Sequence, residues 1–431
     1  MSSPAAASVQ SDAVPGAVPA TDLLSRRGAV VVFLAFAFAY FFSALLRAVT
    51  ATLAPTLTEE FSLNARDLGL LAGGYFLGFS ATQLPLGTWL DRHGPKKVIL
   101  AFLLVAVLAC IAFSMATSFP ALLAARVLCG VGVSACLMAP LTGFRRWLVP
   151  GTQLRANSWM LMTGSFGMLA STLPVQWLMP VFGWRPLFWG LAAMIAVSML
   201  LIAWSVPAWQ PAPAHPGAPR ASYAEVWRNP YFRRMAPVGF FTYGGMIAVQ
   251  TLWAGPWMVR VAGYEPVDSA AGLFTINLAM LVTFWTWGMV NPMLARRGIH
   301  TDRLIAWGTP LSLVVLSGIV IAGPAAGAAV LALFCMSSTF ISLAQPAVGL
   351  AFPAALAGRA LSAYNLVIFL GVFVMQWGIG LLVDAFGALG WSEVASFRGA
   401  MTAFLACSAL SYAWFLLGSR DNRADPRPAS P

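Results

Sequence analysis

Twelve apolar runs, each about twenty residues long, dominate this 431-residue chain and leave it few ways to fold. They cover roughly 29–54, 67–90, 98–116, 121–143, 157–180 and 186–206, then 236–260, 269–292, 304–323, 327–349, 361–383 and 399–418. A helix needs about 20 mostly apolar residues to cross the hydrocarbon core of a bilayer. The runs are continuous rather than alternating, which excludes a closed transmembrane barrel. With 59% hydrophobic and only 9% charged residues, the chain cannot supply a soluble exterior. The expected fold class is an all-α membrane protein with twelve transmembrane helices and the lipid bilayer as its first partner.

A net charge of +11 raises the question of nucleic acid. The cations do not gather in one patch, however; they recur in short runs between apolar segments, as on a polytopic membrane protein. No nucleic-acid partner is expected. With the N-terminus placed in the cytoplasm, nineteen of the 25 Lys and Arg residues fall in cytoplasmic segments and four outside. The remaining two, Arg47 and Arg126, lie inside spans. That asymmetry predicts a multi-pass protein of a bacterial inner (plasma) membrane with both termini cytoplasmic. The five cysteines all sit within apolar runs without metal-ligand spacing, so no metal or cofactor is expected. Residues 1–25 lack the basic segment and apolar core of a secretory signal and read, like 419–431, as a disordered cytoplasmic tail.

The longest cytoplasmic connection, 207–235, opens with "PAWQPAPAHPGAP" and continues into a stretch suited to a short interfacial helix carrying Trp227 and Tyr231. It divides the spans into two sets of six, 26–206 and 236–418. The sets resemble each other at an offset near 204: "LDRHG" (90–94) aligns with "LARRG" (294–298), and "LRANS" (154–158) with "GRALS" (358–362). Two pseudo-symmetric six-helix bundles are the expected architecture, the kind built by duplication in transporters.

Between the second and third runs stands "GTWLDRHGPKKV", residues 87–98. Gly87 lets another helix approach closely. Asp91 stands at a span end, where it meets cations or the positive N-terminus of a neighbouring helix. Gly94 permits a tight turn, while Arg92, Lys96 and Lys97 pin the loop at the membrane surface. These six positions match the loop signature G-x-x-x-D-R/K-x-G-x-R/K-R/K, and the sequence over about 25–418 resembles the major facilitator superfamily. The resemblance implies that Asp91 binds the cytoplasmic end of span eleven when that side is closed and releases it when open. The second copy departs from the pattern, with Asn291 in place of the glycine and Ala295 in place of the aspartate.

Arg47 and Arg126 are the candidate substrate-binding cations. A guanidinium inside the membrane costs at least about 2.5–3.5 kcal/mol, so such residues face a cavity or a partner. No Asp or Glu lies near the middle of any run; Asp67, Asp91 and Asp384 all stand at span ends. The compensating anion is therefore expected from outside, and a guanidinium fork suits carboxylate, phosphate or sulfonate. The resemblance implies that spans one, four, seven and ten line the central cavity, which places both arginines within its reach. It also offers Arg126 a second role, since "RVLCGVG" is similar to a span-four motif whose arginine serves packing or coupling. Gln250, Asn365 and Tyr243 are the polar groups chosen as further ligand contacts, ahead of Ser337, Ser338, Gln345 and Tyr364. Trp253 and Trp257 lie deep enough to stack on an aromatic substrate.

Taken together the sequence predicts a secondary active transporter, not an enzyme. Its small organic substrate is expected to be an anion moved by alternating access, with a coupling proton or a counter-anion. The competing expectation keeps the fold and makes the cargo a neutral or amphiphilic compound, such as a vitamin or drug, with both arginines structural. The absence of a G-x-x-x-x-G-K-S/T phosphate cradle argues against nucleotide-driven transport.

Overall fold

Every apolar run becomes helix, and most interruptions coincide with prolines. The computed structural model describes residues 23–209 and 222–421; the expected tails lie largely outside these, as does the Pro-rich part of the linker. The first part comprises α1 (Arg26–Phe61), α2 (Ala65–Ala81), α3 (Gln83–Met115), α4 (Phe119–Val133), α5 (Ala135–Trp147), α6 (Pro150–Ala170), α7 (Leu173–Phe182) and α8 (Trp184–Ser205). After the linker come α9 (Tyr223–Arg228), α10 (Pro230–Pro237), α11 (Gly244–Ala248) and α12 (Ala254–Arg260). They are followed by α13 (Pro266–Arg296), α14 (Thr301–Ala322), α15 (Ala328–Ser338), α16 (Ala344–Leu350), α17 (Ala354–Ala388) and α18 (Glu393–Asp421). Among the described residues there is no β-strand, and nine helices are long and apolar enough to cross a membrane.

The three remaining runs, at 67–90, 157–180 and 236–260, are helical but broken. Pro85 has no N–H to offer the carbonyl four residues back, and the second run is interrupted at Thr82, between α2 and α3. Pro174 does the same between α6 and α7. Pro346 follows a 3₁₀ turn, Thr339–Leu343, between α15 and α16. The run at 236–260 is different: it passes through two π-helical segments, Val238–Tyr243 and Val249–Trp253, on either side of α11. Such widened turns gather at functional sites.

Helix crossings are set by small residues. A Cβ at Gly130 of α4 would stand 1.8 Å from the Tyr75 carbonyl oxygen, and one at Gly78 of α2 would stand 2.1 Å from that of Val127. The two backbones are therefore in direct contact, and this crossing fixes Arg126 against Tyr75. In the part of the chain after the linker, Arg234 donates to the Asp302 carboxylate at 2.7 Å and to the Phe415 carbonyl at 2.9 Å. Tyr231 donates to the same carboxylate at 2.8 Å, so α10 is tied to α14 and α18. Burial, with Asp302 beside it, pushes the Tyr231 hydroxyl far above its ordinary range and keeps it a donor.

Two faces follow from the chain path: a basic face carrying residues 91–97, and an opposite face where α1 ends and α2 begins. At the opposite face Glu60 accepts from Trp184 at 2.7 Å and pairs with Arg185, and Arg260 pairs with Glu393 at 3.0 Å. A broad depression lined by Asn64, Arg66, Arg260, Asp384 and Glu393 lies there and does not include Arg47.

Gly130→Ala should force α2 and α4 apart. Overpacking of this kind costs about 1–3 kcal/mol, so the melting temperature of the purified protein should fall, whereas Gly151→Ala, with nothing within 4 Å, should leave it unchanged.

Candidate functional site

The two membrane arginines sit side by side and do different things. Arg126 is fully buried on α4. Its Nη1 donates to the Leu46 carbonyl at 2.8 Å and its Nη2 to the Arg47 carbonyl at 3.4 Å. Its guanidinium carbon lies 4.9 Å from the centre of the Tyr75 ring. The fork thus grips the backbone of α1 at the residue that carries the other cation. Tyr75 completes the clamp by donating to the Ser43 carbonyl at 3.3 Å.

Arg47 makes no such commitment to the backbone. It is half-buried, and its Nε is enclosed without a hydrogen-bond partner. Its guanidinium carbon stands 5.7 Å from the Phe79 ring centre and 5.9 Å from that of Phe369. Tyr75, Tyr40 and Tyr243 are its electrostatic neighbours. Tyr243 comes from a π-helical segment beyond the linker, so groups from both parts of the chain converge on one cation. Among the described residues no carboxylate pairs with either arginine. A donor aimed into a low-dielectric interior without an acceptor suits an incoming anion.

A cavity of about 470 Å³ opens on the basic face. Gln83, Asp91, Arg145, Asn157, Tyr223 and Arg359 are among its lining residues, contributed by α3, α5, α6, α9 and α17. Asn157 Oδ1 is enclosed there without a partner. Phe79 lies one turn beyond Gln83, and Phe369 two turns beyond Ser362, another lining residue. Their rings meet at 4.4 Å between centroids. The pair therefore stands between the cavity wall and Arg47. Sequence reasoning missed both rings because, among 29 phenylalanines, nothing distinguishes these two until the helices are packed.

The remaining candidates are already paired. Gln250 donates to Asn277 at 3.0 Å, and Asn365 accepts from Gln345 at 2.5 Å. Ser337 and Ser338 both donate to the Phe334 carbonyl, and Tyr364 to that of Met235. Trp253 and Trp257 are fully buried, and their indole N–H groups donate to the carbonyls of Gln376 and Ala326. Neither ring is free to stack on a ligand in this arrangement.

In the loop motif, Gly94 adopts φ +78°, and a Cβ there would collide with Trp209. That is the turn its residue type was expected to allow. Lys96 donates to the Val206 carbonyl at 2.8 Å, closing the end of α8. Gly87 faces Ser362 of α17, whose Oγ would lie 3.8 Å from an added Cβ. Arg92 and Lys97 are exposed, as is Asp91, which makes no ion pair among the described residues. Burial raises the Tyr223 hydroxyl above its usual range, against the pull of Arg359 and with a push from Asp91. That ring marks the space between the aspartate and α17.

The different roles of the arginines predict different costs. Arg126→Lys, unable to reach both carbonyls, should lower stability by about 1–2 kcal/mol. Arg47→Gln should leave the melting temperature unchanged or raise it, since it removes a charge without a counter-charge.

Comparisons with known proteins identify the family and the fold. A family model described as Major Facilitator Superfamily matches residues 36–376. The chain is 28% identical over 285 residues to the probable sulfoacetate transporter SauU of Cupriavidus necator, covering 62% of this chain and 63% of that one. It is 25% identical over 266 residues to the multidrug resistance protein MdtL of Escherichia coli, covering 61% and 67%. A bacterial homologue of the human lysosomal transporter Spinster, crystallised inward-facing and unoccupied, superposes with a TM-score of 0.74 at 16% identity. That likeness covers 94% of this chain and 100% of the homologue. A D-xylose–proton symporter follows at 0.73 and 13%, covering 90% and 97%. The chain, which spans 63% of the length of the Cupriavidus relative, belongs to the Major Facilitator Superfamily and is a multi-span membrane protein.

Proposed function

We propose that this protein is a secondary active carrier of a small organic anion, with Arg47 holding the negative group. The observation that carries the reading is the Arg47 guanidinium, set between aromatic rings with its Nε enclosed and unpartnered and no carboxylate paired with it among the described residues. Arg126 holds α1 in place for it, and Tyr40, Tyr75 and Tyr243 supply hydroxyls around the bound group. Gln250 and Asn365 enter this reading only if their amide pairs open during the cycle.

The proposed halves, 26–206 and 236–418, rock about this site, and the linker 207–235 joins them. The basic face is taken as cytoplasmic, with both termini on that side, because most loop cations lie there. The cavity on that face is then the inner path to Arg47, with Phe79 and Phe369 closing it. Asp91 serves as the inner gate in its released position. No midplane carboxylate carries a coupling proton, so the anion itself brings one in or exchanges for a second anion. A sulfonate or carboxylate of a few carbons fits a single guanidinium, and the name of the Cupriavidus relative points the same way.

Uptake into proteoliposomes from a panel of short sulfonates and carboxylates, with their neutral amides as controls, tests this. Transport should be confined to anions. Arg47→Gln should cut it about thirtyfold or more, the loss expected when one partner of a buried charge pair is truncated. Retained transport in that variant would favour the second reading, a carrier of neutral or amphiphilic compounds. The aromatic surroundings of Arg47 and the multidrug name of the Escherichia relative give that reading its support.

A further inference from the structure

Asp384 stands at the far end of α17 from the motif, and its carboxylate is engaged. Oδ1 accepts from the Ala65 amide at 3.1 Å and Oδ2 from the Arg66 amide at 2.8 Å. Those are the first two N–H groups of α2, which no intrahelical carbonyl can satisfy. The third, of Asp67, donates to the Asn64 side chain at 2.8 Å, and the fourth, of Leu68, to the Asn64 carbonyl at 3.0 Å. The N-terminus of α2 is thus fully capped, half of it by a residue more than 300 positions away. The positive end of the helix dipole adds to the attraction.

From that cap the two helices run antiparallel in backbone contact. A Cβ on Gly380 would stand 2.3 Å from the Ala65 carbonyl oxygen, and one on Gly69 would stand 2.3 Å from that of Gln376. Trp253 donates to the same Gln376 carbonyl, sealing the seam from the side. At the other end of the pair the arrangement is reversed. Asp91 lies near the basic start of α17, shares a cavity wall with Gly358 and Arg359, and is exposed without an ion pair among the described residues.

We propose that Asp384 is the latch that holds the opposite face closed, the counterpart of Asp91 at the basic face. Each of two antiparallel helical segments carries, at its C-terminal end, a carboxylate that can cap the N-terminus of the other. The transporter makes one cap at a time, and here it makes that of Asp384. Asp384 is a positioning residue for transport. The inference rests on the alternating-access part of the proposed function and is independent of the cargo.

The test is a pair of spin-label distances in a background with Cys407, the one cysteine not buried, replaced by alanine. Labels at Glu59 and Val267 span the opposite face, and labels at Arg155 and Arg296 span the basic face; all four positions are exposed. Asp384→Asn should enlarge the long-distance population at Glu59–Val267 about tenfold, the equivalent of losing one hydrogen bond to a charged group. Ala65→Pro removes a donor from the other side of the latch, at the first helical position, where proline is tolerated. It should act in the same direction and keeps the test available if Asp384→Asn does not fold. Asp91→Asn should leave Glu59–Val267 unwidened while changing Arg155–Arg296. An unaltered Glu59–Val267 distribution in both latch variants, with Arg155–Arg296 still responding to Asp91→Asn, would overturn the latch and leave alternating access standing. No response at either pair in any variant would overturn both.

Discussion

A guanidinium held in a medium of low dielectric, with no carboxylate among the described residues to answer it, is the constraint around which this molecule is arranged. Placing such a charge inside a membrane costs at least about 2.5–3.5 kcal/mol. The chain does not offset that cost at Arg47 with an ion pair. It surrounds the group with ring faces, whose quadrupoles favour a cation, and with the hydroxyls of Tyr40 and Tyr243, a residue type that can donate to an anion as well as accept from a cation. In the proposed function an incoming anion completes the site, as a carrier of anions requires. A built-in counter-ion would have to be displaced at every turnover.

Its position is secured by a second cation used for the opposite purpose. Arg126 carries the same charge but gives its fork to two consecutive carbonyls of α1. The span-two and span-four backbones touch at Gly78 and Gly130, so that grip has little slack. One arginine is thus a strut, and in the proposed function the other is the binding group. In the proposed cycle the moving elements are the helices that meet across the molecule, α2 with α17 and α1 with the π-widened segment near Trp253. A small change at their caps can favour one face over the other.

Much of this was legible in the sequence. Composition alone requires membrane helices, and the proline positions mark where three of the runs bend. The loop motif gave both its family and the conformation of Gly94. Arg47 stood out because a charge within an apolar run has to be answered by a cavity or a partner. Other features are invisible at that level. Nothing in "RVLCGVG" says that the guanidinium of Arg126 will find main-chain oxygens of another helix. The π-helical turns around Tyr243 and Gln250 carry no sequence mark beyond a pair of glycines. The amides Gln250 and Asn365 read as free ligands until Asn277 and Gln345 are seen beside them. Asp384 was recognisable as a carboxylate at a span end, but its partners are backbone amides, which every residue has.

The most direct measurement of the central claim is a binding titration by calorimetry on the purified, unmodified protein. It compares a transported anion with the same molecule carrying a carboxamide or sulfonamide in place of its charged group. If the lone guanidinium holds the cargo, the neutral analogue should lose essentially all measurable affinity while keeping its size and shape. Equal binding of the charged and uncharged forms would contradict the account and leave Arg47 a structural residue.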